Sequence, residues 1–190
     1  IRPGRLDVEF LFESIKGLST SMNGAKLCVK SDPGSIAETF AGVCIAVPKD
    51  EAATRVTLSL VRELEVQAVR IDLSESYAKE AVIPLLEGLR NSGVRVLLHL
   101  VQPLAQAKRM PDSEANEAWR CFVADTLDAF AETIEAVEIG TTINRAKWAG
   151  YSLNGFFAAW ETACPLVQAS GLPLVGPNVT DFEPQYNAAI

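Results

Sequence analysis

From residue 42 onward, apolar runs of strand length alternate with stretches in which apolar residues recur every three or four positions. Gly42–Val47 is a continuous apolar run, the pattern of a strand covered on both faces, and it stops at Pro48. Asp50 is placed to cap a helix with Ala53, Val56, Leu60 and Leu64 as its apolar stripe. In the second strand, Gln67–Ser74, Val69, Ile71 and Leu73 share one face, while Arg70, Asp72 and Ser74 share the other. A helix through Ala81–Leu89 follows, with Pro84 either in its first turn or kinking it. Val94–Pro103 is the third strand, and the loop Leu104–Pro111 behind it is longer than most. Ser113 then opens the clearest helix of the chain, with Trp119, Phe122, Val123, Leu127, Phe130 and Ile134 as its buried stripe.

The fourth strand begins at Ala136 and ends in Gly140, with a polar loop running to Trp148. Glu138, Gly140 and Thr142 share one parity, and Val137, Ile139 and Thr141 the other. A carboxylate inside a strand is costly unless it is paired or useful, so Glu138 marks a candidate site. Gly155–Trp160 begins another helix, which Pro165 kinks or divides, and Gly171–Pro177 is a fifth strand leading into the polar loop Asn178–Pro184.

Strands starting near residues 42, 67, 94, 136 and 173, separated by helices, define a parallel sheet, either open or closed into a barrel. An open nucleotide-binding sheet calls for a glycine-rich first loop, and the stretch from Val47 to Asp50 has none. The expected fold is therefore α/β, a (β/α)8 TIM barrel of which about the first five strands are present. Arg70, Asp72, Ser74, His99, Glu138, Thr142 and Asn178 fall at or near strand C-termini, where such barrels carry their chemistry. Residues 1–41 read as a lead-in ahead of a partial barrel domain at 42–190. Leu6, Val8, Phe10 and Phe12 alternate as in a strand, Phe10, Glu13 and Lys16 fit a helix equally, and Gly24–Ser31 reads as a short strand.

Composition narrows the partners. With 24 acidic against 17 basic residues, a net charge of −7 and no basic run, the chain lacks a nucleic-acid footprint, so a small neutral or polar ligand fits better. No eighteen apolar residues run together and the N-terminus lacks the form of a signal peptide, so a soluble protein is expected, with a cytoplasmic setting favoured. Cys28, Cys44, Cys121 and Cys164 lie far apart with one histidine in the whole chain, which argues against a metal cluster and reads as four small buried hydrophobes. No cofactor is implied.

An Arg in strand two (Arg70), a His in strand three (His99), Val137-Glu138-Ile139-Gly140 followed by Asn144, Arg145 and Trp148, and Val175-Gly176-Pro177 on strand five together resemble the clan A glycoside hydrolases. The likeness is to their xylosidase- and iduronidase-like members, over roughly residues 42–184. It implies a retaining mechanism, which uses two carboxyls about 5–5.5 Å apart. In that family the fourth-strand motif ends in Asn-Glu, the Glu being the acid/base; here Thr141 and Thr142 stand in those places, and a threonine hydroxyl is no tuned proton donor. The nucleophile expected from strand seven is outside this sequence. The chain is thus expected to be the front half of a barrel of about 250 residues, its open edge met by the remaining half or by a self-associating partner.

By this reading Arg70 is a structural cation paired with Asp72 or Glu138, or a contact for a ligand hydroxyl or carboxylate. His99 orients a sugar hydroxyl or is a satisfied core histidine. Thr141, Thr142, Asn144 and Asn178 join Arg70 and His99 as candidate substrate contacts. Trp148 is a sugar-stacking platform or a loop residue pinned against a helix, and Asp181 and Glu183 are solvated loop acids or stand-ins for the missing acid. Two functions follow: a glycoside hydrolase acting on a saccharide, or a non-catalytic glycan-binding or scaffold barrel, a pseudoenzyme in carbohydrate metabolism. An unrelated barrel enzyme is a third.

Overall fold

The computed structural model describes residues 42–77, 79–140 and 142–180, together with Lys16. Expectations for the lead-in before Gly42, for Thr141 and for Asp181 and Glu183 fall outside those residues. Strands β1 (Val43–Ile45), β2 (Ala68–Ser74), β3 (Arg95–Val101), β4 (Ala136–Ile139) and β5 (Leu174–Val175) form one sheet in the order of the chain, all neighbours parallel. Between them lie helices α1 (Glu51–Glu63), α2 (Lys79–Asn91), α3 (Leu104–Ala107), α4 (Ser113–Phe130), α5 (Ala146–Ala149) and α6 (Leu153–Ala169). A doubly wound sheet reverses its strand order; an uninterrupted right-handed progression keeps every crossover helix on one face. The five strands are consequently an arc of a (β/α) barrel, helices outside and a second sheet face inside.

The helix-facing side carries the core. Val69, Ile71 and Leu73 of β2, Val96, Leu98 and Leu100 of β3, and Val137 and Ile139 of β4 are buried beneath Leu85, Leu86 and Leu89 of α2, Trp119 and Val123 of α4, and Phe156 and Ala163 of α6. Trp119 closes the α4–α6 seam by donating its indole N–H to the Ala159 carbonyl at 2.9 Å, so the largest core side chain leaves no unpaired donor. Pro165 lies within α6 and Pro84 within α2, and neither divides its helix in two.

Three expectations are corrected. In α1 the buried residues are Thr54 and Val61, with Leu58 half-buried, whereas Val56, Leu60 and Leu64 are 60%, 51% and 62% exposed. The cause is a close approach: Leu58 packs so tightly over Gly88 of α2 that a Cβ there would lie 2.4 Å from its Cδ1, which turns α1 away from the face its apolar spacing favours. The first strand is not buried on both faces, because β1 is an edge strand among the described residues and Cys44 and Ala46 point to its uncovered side. Nor are the described cysteines buried hydrophobes: Cys44 and Cys121 are exposed and Cys164 is intermediate. No helix among the described residues is long and apolar enough to cross a membrane.

The rotation of α1 is open to a direct check. Val61→Ala, at a position 3% exposed, is expected to cost about 2 kcal/mol in urea denaturation, and Leu60→Ala less than about 0.5 kcal/mol. Equal losses would mean that α1 buries the other stripe.

Candidate functional site

The parity of the strands puts the ionisable residues of β2, β3 and β4 on the inner face, opposite the helices. Pairing sets Asp72 beside His99 and His99 beside Glu138, with Arg70 one step deeper beside Leu97. Arg70 is therefore a mid-strand residue, not a rim residue. Its guanidinium reaches past β3 to grip Glu138 with two bonds, Nε to Oε2 at 2.6 Å and Nη2 to Oε1 at 3.1 Å, and its Nη1 meets Asp72 Oδ1 at 2.5 Å. Asp72 Oδ1 also lies 2.8 Å from His99 Nδ1. Arg70, Asp72, His99 and Glu138 thus form one connected network across three strands.

Burial decides what this network can do. Glu138 and His99 are 4% and 1% exposed, so an unpaired charge on either would be costly, while the Asp72 side chain is 57% exposed and keeps contact with solvent. Burial pushes the His99 imidazole below its ordinary range; the bond to Asp72 opposes that shift and the Arg70 cation adds to it. The ring is accordingly neutral near pH 7. With Nδ1–H donating to the Asp72 carboxylate, Nε2 is left as the acceptor. Pairing with Glu138 raises the Arg70 pKa still further, fixing the cation at the centre.

Above this layer, the loops behind β4 and β5 are tied together. Asn178 donates its backbone N–H to the Gly140 carbonyl at 2.7 Å and accepts from Ile143 N at 3.3 Å. The Asn144 side chain is engaged at both ends by Thr180, donating to its carbonyl at 2.7 Å and accepting from its N–H at 3.0 Å. Two residues in this turn have positive φ: Gly140 at +84°, where a Cβ would fall 2.3 Å from the Phe156 ring, and Thr142 at +49°. For a β-branched residue that conformation is strained, and the loop clamp holds it in place.

Thr142 and His99 line a small cleft of about 60 Å³ together with Gln102, Trp148 and Tyr151. Trp148, on the short helix α5, is 76% exposed and so is not pinned against a neighbouring helix. Tyr151 is buried, and burial pushes its phenol up, keeping it protonated. Sequence reasoning missed Gln102, which it included in the third strand without a role, and Tyr151, which carries no local signal. Among the described residues no group of three or more His, Cys, Asp or Glu is placed to hold a metal ion.

The chain is a partial (β/α) barrel with a polar inner face and an aromatic at its C-terminal rim. In comparisons of structure it is similar to a rice β-glucosidase solved in covalent complex with Glc, at TM-score 0.53 and 11% identity over 64% of this chain and 36% of the glucosidase. It also matches a D-psicose 3-epimerase from Clostridium cellulolyticum bound to D-tagatose, at TM-score 0.47 and 14% identity over 70% of this chain and 50% of the epimerase. The chain spans only about a third of the glucosidase, and at that identity the likeness concerns the fold. No protein-family model and no curated protein sequence matches it.

Two outcomes test the network. Arg70→Ala strands Glu138 without its counter-ion and is expected to cost about 3–5 kcal/mol, most of which returns when Arg70→Met is combined with Glu138→Leu; a single mutant as stable as the parent would mean that the pair contributes nothing. Because the chain has one histidine, its imidazole signal can be followed by NMR without assignment. A folded pKa below the unfolded value makes His99's stabilisation complete above about pH 6.5 and lost as pH falls through the lowered value. The NMR midpoint should lie below 6.5, and Asp72→Asn, which removes a partner that raises it, should move it lower. A midpoint above 6.5 would contradict the assigned burial.

Proposed function

We propose that this chain supplies the saccharide-binding part of a glycoside-hydrolase-like barrel, with Trp148 as the platform on which a sugar ring stacks. The observation that carries this reading is an indole 76% exposed at the strand C-terminal rim, directly beside a cleft that holds His99, Gln102 and Thr142. An exposed aromatic next to a few convergent polar groups is the usual make-up of a site for a ligand with one apolar face and hydroxylated edges. One cation faces two carboxylates on the inner face, Arg70 against Asp72 and Glu138, which favours a neutral ligand over an anionic one.

Binding, not hydrolysis, is the activity the described residues support. Asp72 and Glu138 are both committed to Arg70, and the resemblance to clan A glycoside hydrolases implies Thr142 at the acid/base position. Hydrolysis would need carboxyls supplied by further chain. The exposed residues Val56, Leu60 and Leu64 of α1, and β1 as an edge strand among the described residues, suit the same picture, as surfaces on which the remainder of a barrel, or a partner standing in for it, would pack.

Titration of the protein with a panel of methyl glycosides and short oligosaccharides, read by the Trp148 indole resonance, tests the proposal. At least one neutral saccharide should shift that signal, and Trp148→Ala should weaken binding about tenfold while changing stability by less than about 0.5 kcal/mol. A panel that leaves the indole unmoved would defeat it.

A further inference from the structure

The network on the inner face is closed, but Gln102 beside it is not. Gln102 follows the last residue of β3, is 6% exposed, and both its Nε2 and its Oε1 are buried without a hydrogen-bond partner. A primary amide carries two donors and an acceptor with two lone pairs, and leaving all of them dry in a folded interior is unfavourable unless something fills the gap. Buried polar groups in proteins are paired as a rule, so a glutamine orphaned at both ends, in a cleft, points to a missing partner. The loop clamp and the Arg70 network engage neither end of it.

The cleft itself restricts what that partner is. At about 60 Å³ the cleft is small and partly open, so a substituent can enter it from a ligand whose body lies outside. The group must both donate, to the Gln102 carbonyl, and accept, from the Gln102 amide. A hydroxyl does both; a carboxylate only accepts, would leave the carbonyl unpaired, and would add a negative charge near Asp72 and Glu138. His99, Thr142 and Tyr151 are residues of the same walls.

Building on the saccharide-binding reading above, we propose that this cleft receives the exocyclic hydroxymethyl group of a hexose whose ring lies on Trp148, with Gln102 as the residue that tells a hexose from a pentose. A pentose of the same ring stereochemistry lacks that arm, leaves the Gln102 amide dry, and binds through the indole alone. Discrimination of this kind arises because a site built to bond a hydroxyl is penalised when the hydroxyl is missing. The inference reaches beyond the platform: it assigns the choice of ligand to a residue that the strand pattern concealed.

Methyl glucoside and methyl xyloside differ only in the CH2OH group and serve as the two probes, read by NMR at the Trp148 indole and the Gln102 side-chain amide. Glucoside is expected to shift both signals and xyloside the indole only, with glucoside bound about five- to tenfold tighter. Gln102→Leu should erase that preference, bringing glucoside binding down to the level of xyloside. The same variant should raise the melting temperature of the free protein, since it removes a buried amide that has no partner. If both sugars move the indole alike and the Gln102 amide stays silent, the inference is overturned and the saccharide reading stands. If Gln102→Leu melts lower, the amide is part of the packing or is held by solvent, and the inference is likewise overturned. If neither sugar moves the indole, the inference is overturned, and the saccharide reading falls with it only when the wider panel leaves the indole unmoved as well.

Discussion

The ion pair between Arg70 and Glu138 is the constraint on which the inner face depends. These residues belong to strands that are not neighbours, since β3 runs between them, and two strand spacings separate their backbones by roughly 9.6 Å. Two side chains of this length meet across that span when the sheet curls toward them, so the pair is an attribute of the concave face of a barrel arc. Its energetic sense is one-sided. The pair adds little over a well-packed apolar substitute, but either partner alone, at this burial, would be an uncompensated charge. The network therefore acts as a condition on the fold: β2, β3 and β4 must adopt one register, because a shift of one residue would send Asp72, His99 and Glu138 to the helix side among leucines and valines.

From that constraint comes a division of labour among the polar residues. Those deep on the strands, Arg70, Asp72, His99 and Glu138, are joined to each other, and Asn144 is joined to Thr180; they fix geometry. At the rim, Gln102 has no partner among the described residues and Trp148 faces solvent. Satisfaction of hydrogen-bonding capacity, more than residue type, separates scaffold from site here. The network also tunes its neighbour, because burial and Arg70 keep His99 neutral and its Nδ1–H is donated to Asp72, so Nε2 is left as an acceptor.

Much of this was legible in the residue pattern. The alternation of strands and helices marks a partial barrel, and period-two spacing in Gln67–Ser74 shows that Arg70 and Asp72 share a face. Packing at a distance was illegible. The orientation of α1 follows from Leu58 resting on Gly88, two residues thirty positions apart, so its apolar spacing points to Val56, Leu60 and Leu64 while the core takes Thr54 and Val61. The burial of β1 was overestimated because an apolar run does not record whether a strand has neighbours on both sides. Gln102 was hidden for a related reason: a glutamine at a strand end reads as solvated until its surroundings are known, and Tyr151 reaches the cleft from a separate segment.

The site's geometry also bears on which polar groups of this segment are already engaged. General acid catalysis needs a carboxyl that can hold a proton close to the bond being broken and release it there. A carboxylate gripped bidentately by a guanidinium has both oxygens engaged. Glu138 is in that position, one layer below the rim, and the residue closer to the rim in the same row is Gly140, whose left-handed turn passes the chain to a threonine. The strained turn at Thr142 is held by the loop clamp and forms part of the cleft wall beside His99 and Gln102.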